Sequence, residues 1–310
     1  MAVVAGGLIA GSTGTASADP APERPAPGAA GWSSRTAERF WTPERMASAT
    51  PLNARTGKAA ATAGADGTRG PRSGELRAAG QAQHFGGIPS VGVLFTVTKD
   101  MKTHYCTAGV VHSAQRNLIL TAGHCNPGRK AAFVPQYRAG AARQPHGVWA
   151  IERGFTDPRR SSRGQGSNYD FAFARVAPDS RGRSLEQVTG GNTLTRGPGY
   201  RNRVTVVGYP SRRNDPADRA IRCAVTTGRL TGYRQLRMEC GGFHGGTSGS
   251  PWLAHYDAAT RTGQVIGVLG GLNGGGPSGP HSDRVSYSPV FDAEVFRLYD
   301  DAVHNRTPRR

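Results

Sequence analysis

What most limits the fold is a succession of short β-prone runs with almost no helical periodicity between them. After Gly87, stretches rich in Val, Ile, Leu, Phe and Thr recur at 90–97, 104–112, 118–122, 132–137, 148–155, 171–176, 203–209, 221–227, 235–240 and 264–269, separated by Gly, Pro, Asn and Asp. Short runs of this kind, without alternating βα units, predict an all-β barrel or sandwich. Residues 289–303 differ. They place Val290, Val295, Phe296, Tyr299 and Val303 on roughly one helical face, so an amphipathic C-terminal helix is expected. No internal repeat is visible.

The first 85 residues have another texture. Residues 2–10 are apolar and small, and Ala16-Ser17-Ala18 follows, a pattern that reads as the hydrophobic and cleavage regions of a signal peptide over 1–18. The basic n-region is lacking, since the first basic residue is Arg24. From 19 to 85, Pro, Ala, Gly, Arg, Ser and Thr dominate without apolar period, and 56–74 offers almost nothing to bury. That stretch is expected to be a pro-region or disordered linker ahead of a folded domain spanning 86–310, and a secreted, extracellular protein follows from the same reading.

Composition narrows the partners. No apolar run approaches the roughly 20 residues of a membrane-spanning helix, so no membrane partner is expected. The formal net charge is +18, from 39 basic and 21 acidic side chains among 310 residues. Such a charge predicts attraction to anionic surfaces, yet no nucleic-acid-binding module accompanies it, and no specific nucleic-acid partner is expected.

Three local sequences carry chemistry. Thr121-Ala122-Gly123-His124-Cys125 follows an apolar strand, Asn168-Tyr169-Asp170-Phe171-Ala172-Phe173 opens another, and Gly245-Gly246-Thr247-Ser248-Gly249-Ser250-Pro251-Trp252 is a glycine-dense turn leading into a third. A serine hydroxyl is a weak nucleophile and needs a base. Imidazole suits, and a carboxylate on its far nitrogen fixes the tautomer. Glycines around the serine let the amide hydrogens of Gly246 and Ser248 face a developing oxyanion, at on the order of 3 kcal/mol per donor.

In that order and at those separations the motifs resemble the trypsin/chymotrypsin-like secreted serine endopeptidases, and among them the bacterial glutamyl-endopeptidase-like branch. The resemblance covers about residues 90–303. It implies two antiparallel six-stranded β-barrels, with His124 and Asp170 from the first and Ser248 from the second as catalytic residues, Gly246 and Ser248 as oxyanion donors, and an acyl-enzyme acting on protein or peptide substrates. It also implies the disulfides Cys106–Cys125 and Cys223–Cys240. No metal or cofactor is expected, and a monomer is.

Departures bear on activation and specificity. Thr247 stands where trypsin-like zymogens carry the aspartate that pairs with a new N-terminal ammonium, so that ion pair is excluded. If a pro-region is removed, the cut is expected between Arg72 and Ile88. Glutamate-cutting relatives carry a histidine where Leu269 aligns, and Gly241-Gly242-Phe243-His244 has no acid to match a basic side chain. Phe243, His244, Leu269, Gly270 and Gly271 are the expected substrate contacts, favouring an apolar or small residue at the cleaved position.

Competing readings are weaker. Asp157 rivals Asp170 as the histidine's partner. An α/β-hydrolase elbow needs G-x-S-x-G and the order Ser, Asp, His, and neither occurs. Zinc binding lacks a C-x-x-C pair. A protease-like pseudoenzyme or adhesin that binds acidic polymers through its basic surface remains the alternative from another class.

Overall fold

The computed structural model describes Met1, residues 31–52 and residues 80–309. The signal-peptide-like segment beyond Met1 and the apolar-poor stretch at 56–74 lie outside the described residues. In chain order the elements are α1 (Ser34–Phe40), α2 (Pro43–Ser48), β1 (Thr50–Pro51), β2 (Gly80–Gln81), β3 (Gln83–Phe85), β4 (Val91–Val97), β5 (Thr103–Val111), β6 (Leu118–Thr121), β7 (Arg129–Pro135), β8 (Trp149–Thr156) and β9 (Ala172–Val176). They continue as α3 (Leu185–Thr189), β10 (Thr193–Leu194), β11 (Arg203–Gly208), β12 (Ala220–Thr226), β13 (Gly228–Leu230), β14 (Gln235–Gly241), β15 (Pro251–Asp257), β16 (Thr262–Val268), β17 (Val285–Pro289) and α4 (Ala293–Val303).

Six strands of the first half close on themselves. The order is β5-β4-β7-β8-β9-β6, β6 pairs back with β5, and β1 adds to β5 in parallel. Closure leaves these six strands no free edge. Their faces are both apolar. Along β4, Val93 and Phe95 join one buried cluster while Leu94 joins another with Phe133, Trp149 and Ile119. This is why β4 reads as a continuous apolar run, every residue of it buried.

The second half departs from the expected closed barrel. Its strands form two separate ladders, β10-β16-β15-β11-β12-β3 and β13-β14-β17. Between β12 and β14 lies the segment 80–85: β2 pairs with β14 and β3 with β12, so the chain's approach to the domain spans the break. Cys223 on β12 and Cys240 on β14 are joined by a disulfide across the same break. At the other side, the Ser288 hydroxyl on β17 accepts the Val268 N–H of β16 at 2.8 Å, in place of ladder bonds.

Two further differences from the sequence expectation have physical causes. The C-terminal helix begins at 293, because Asp292 caps it by accepting the Glu294 N–H at 3.0 Å and residues 285–289 pair with β14 as a strand. Val295, Leu298 and Ala302 are its buried stripe. Residues 31–52, which precede the expected domain start at 86, are ordered against the first barrel. Trp41 is buried against Phe95 and donates its indole N–H to Lys130 O at 2.8 Å, and Trp32 donates to Ala131 O at 3.0 Å. Helices of seven and six residues carry too short a period to stand out from composition.

Candidate active site

β6 ends at Thr121, and the next residues turn through a short 3-10 helix, 123–125, that carries His124. Asp170 follows a second 3-10 turn and precedes β9, which pairs with β6, so strand register brings the two together. Asp170 is wholly buried. Its Oδ1 accepts the His124 backbone N–H at 2.7 Å, and its Oδ2 accepts the Gly271 N–H at 2.7 Å. The His124 ring contacts Oδ2 through Nδ1 at 2.8 Å.

Burial pushes the Asp170 carboxyl up. Attraction to His124, the hydrogen bonds from His124 and Gly271, and the Arg160 guanidinium 3.8 Å away push it down, and they prevail, so it lies below the usual aspartate value. An ionised carboxylate only accepts, so His124 Nδ1 carries the proton and Nε2 presents its lone pair. Nε2 is buried and has no hydrogen-bond partner among the described residues. Asp157 is eliminated as the histidine's partner: it is held by Arg159 at 2.7 Å and Arg297 at 3.4 Å.

The Ser248 turn is fastened to the same strand that fastens the histidine turn. On β5, Cys106 is bonded to Cys125, and both sulfurs lie within 4.8 Å of a His124 ring nitrogen. Being disulfide-bonded, these sulfurs are not free thiolates for a metal. The next residue, Thr107, donates its N–H to Ser248 O at 2.8 Å and its hydroxyl to Gly246 O at 2.9 Å. Gly249 has φ +88, and a Cβ there would come within 2.0 Å of Thr107 O and 2.3 Å of Thr121 Oγ1, so only glycine permits this approach. The other flank is tied too: Gly249 N–H donates to Leu269 O at 2.7 Å, two residues before Gly271 reaches Asp170.

The Ser248 hydroxyl is not hydrogen-bonded to His124 Nε2. The N–H groups of Gly246 and Ser248 have no acceptor among the described residues, while the Thr247 N–H and hydroxyl both turn to His244 O.

The expected substrate contacts separate into two sets. Phe243 and Leu269 have no exposed surface and belong to the core of the second half, because large apolar side chains here pack against Trp252 and Ile266. In this structure they are core and not an open pocket wall. Gly270 and Gly271 lie on Asp170, and Gly271 supports the carboxylate. His244 is partly exposed, 3.9 Å from Asp283, whose carboxylate also accepts the Gly242 N–H at 3.2 Å. An acid therefore does stand beside this loop, supplied by a segment some forty residues downstream that proximity in sequence could not suggest. Gln235 was also missed. It donates to Ser167 Oγ at 2.9 Å and accepts the Leu272 N–H at 3.0 Å, linking the turn before Asp170 to the turn that donates to it. Neither Gln235 nor Thr107 lies in a motif, and each acts through groups far away in the chain.

Solved structures share this architecture. They include the protease Anisep from Arthrobacter nicotinovorans, 23% identical with TM-score 0.61 over 72% of this chain and 99% of that one. A thermostable serine protease, AL20, from an extremophilic microorganism is 24% identical with TM-score 0.59 over 70% and 98%. A Glu endopeptidase is 16% identical with TM-score 0.53 over 73% and 97%. At these identities the likeness establishes the fold, which is chymotrypsin-like. No curated protein matches the sequence. The profile of the trypsin-like peptidase domain matches residues 106–268, and this chain belongs to that family. Membership implies protein substrates.

Proposed function

We propose that the protein is a secreted serine endopeptidase in which Ser248, His124 and Asp170 act as nucleophile, base and orienting carboxylate. What carries the reading is the ionised, buried Asp170 holding His124 with its Nε2 unengaged, while consecutive residues of β5, Cys106 and Thr107, fasten the histidine turn and the serine turn. The reaction needs Ser248 Oγ within hydrogen-bond reach of Nε2, and catalytic hydrogen bonds are commonly loose before substrate binds. Ser248 Oγ attacks the scissile carbonyl carbon as Nε2 takes its proton, and the carbonyl oxygen becomes an oxyanion facing the N–H groups of Gly246 and Ser248. The C–N bond then breaks, and Nε2 returns the proton to the leaving amine. Water, deprotonated by Nε2, attacks the acyl-enzyme, and the serine leaves with that proton. The two disulfides support an exported location.

The test is labelling by a fluorophosphonate probe, with a Ser248→Ala variant alongside and peptide-library cleavage to read specificity. Labelling of the wild type alone is expected. Equal labelling of both would remove Ser248 from the mechanism, and labelling of neither would favour a binding protein on a peptidase fold.

A further inference from the structure

Residues 31–52 lie in the stretch whose composition reads as pro-region or linker, yet they are built into the barrel at three levels. Trp41, Ala37 and Met46 are 1%, 0% and 4% exposed within the same apolar cluster as Val93 and Phe95. The two indole N–H groups are satisfied by the backbone of β7, at Ala131 and Lys130, and the Ser34 hydroxyl accepts the Ala150 N–H of β8 at 3.2 Å. β1 then pairs with His104 and Tyr105 of β5, and Leu52 N–H donates to Tyr105 O at 3.0 Å. The Leu52 side chain packs on Cys106, Ala122 and Cys125, the disulfide and strand end from which His124 projects.

Residues 31–52 share a core, backbone hydrogen bonds and a strand pairing with the first barrel. Stripping it away would bare Phe95, leave β7 carbonyls without donors and uncover one side of the histidine turn. We propose that residues 31–52 are a permanent strap of the folded body, retained after any cut between 52 and 80, and that Leu52 is a positioning residue acting on His124 through the Cys106–Cys125 turn. Only the Leu52 clause rests on the peptidase reading. Residues 80–85 lie on the far side of such a cut and stay with the body through β2 and β3. A cut chain is then a two-chain molecule.

The experiment uses the full chain with a site-specific protease sequence, flanked by Gly and Ser, inserted after Gly64. After cutting, a denaturing gel is expected to show two pieces and gel filtration one peak containing both. Separation of the pieces on the column with the larger one still folded would overturn the strap. Refusal of the inserted site to be cut would place that stretch inside the body and overturn it as well. Independently, Leu52→Ala is expected to lower kcat about tenfold with KM little changed, and Leu52→Met to restore most of it. A kcat unchanged in Leu52→Ala, in a preparation whose wild type is active, would overturn the positioning role. An inactive wild type would fail the peptidase reading while the elution profile still decides the strap.

Discussion

At Asp170 a wholly buried carboxylate faces three N–H donors and one cation, and its charge is what gives His124 a single tautomer. Asp170→Asn keeps the shape but supplies a carboxamide that can present a donor, so the ring loses its fixed proton position. Activity is expected to fall about 10⁴-fold, measured as kcat/KM on the best library peptide. The same carboxylate has a stability signature. Its value in the folded chain lies below the 3.8 of an unperturbed aspartate, so its contribution is complete above that pH and is lost as pH falls through the folded value. Arg160→Gln removes part of the depression, so the acid limb of thermal stability, which still begins near the unperturbed aspartate value, is expected to be shallower and to level off at higher pH than in the wild type. A limb that stays put would remove Arg160 as a partner of the carboxylate.

At the scale of elements, β5 sets the spacing of the site through two consecutive residues, with Cys106 holding the histidine turn and Thr107 the serine turn. Thr107→Val deletes the bond to Gly246 O and strands the Tyr209 N–H, which the hydroxyl accepts at 3.0 Å. Buried groups left without partners cost about 1–3 kcal/mol each. A loss of roughly 10–100-fold in kcat is expected, and active-site titration will separate it from misfolding. Strands of the first barrel were legible because both faces are apolar, so run length and turn residues alone mark them. α1 and α2 were not, since the tryptophans flanking α1 reach carbonyls distant in sequence and α2 buries only Met46. β17, Val-Ser-Tyr-Ser-Pro, was missed because its polar residues are buried by pairing and not by an apolar period. The three motifs of the candidate site were visible in sequence, whereas Thr107, Gln235 and Asp283 act through contacts with groups distant in the chain.

At the scale of the molecule, the second half is a pair of ladders that share an apolar cluster and are linked by the Cys223–Cys240 disulfide, the Ser288 hydroxyl, the Gly270 N–H to Tyr287 O bond and residues 80–85. Cys223 and Cys240 are separated by 17 residues, so their bridge is expected to contribute about 3 kcal/mol. Replacing both by alanine is expected to lower Tm by roughly 6–12 °C in scanning calorimetry. A shift near zero would mean that strand pairing by residues 80–85 suffices to span the break.

Because neighbouring peptide units of one strand are the reference for both the Ser248 and His124 turns, the proposed nucleophile and base are expected to stay in register when the two halves rock. Heat should therefore leave the turnover rate climbing normally until β5 itself frays, and activity should end abruptly, without the gradual decline of a loosening hinge.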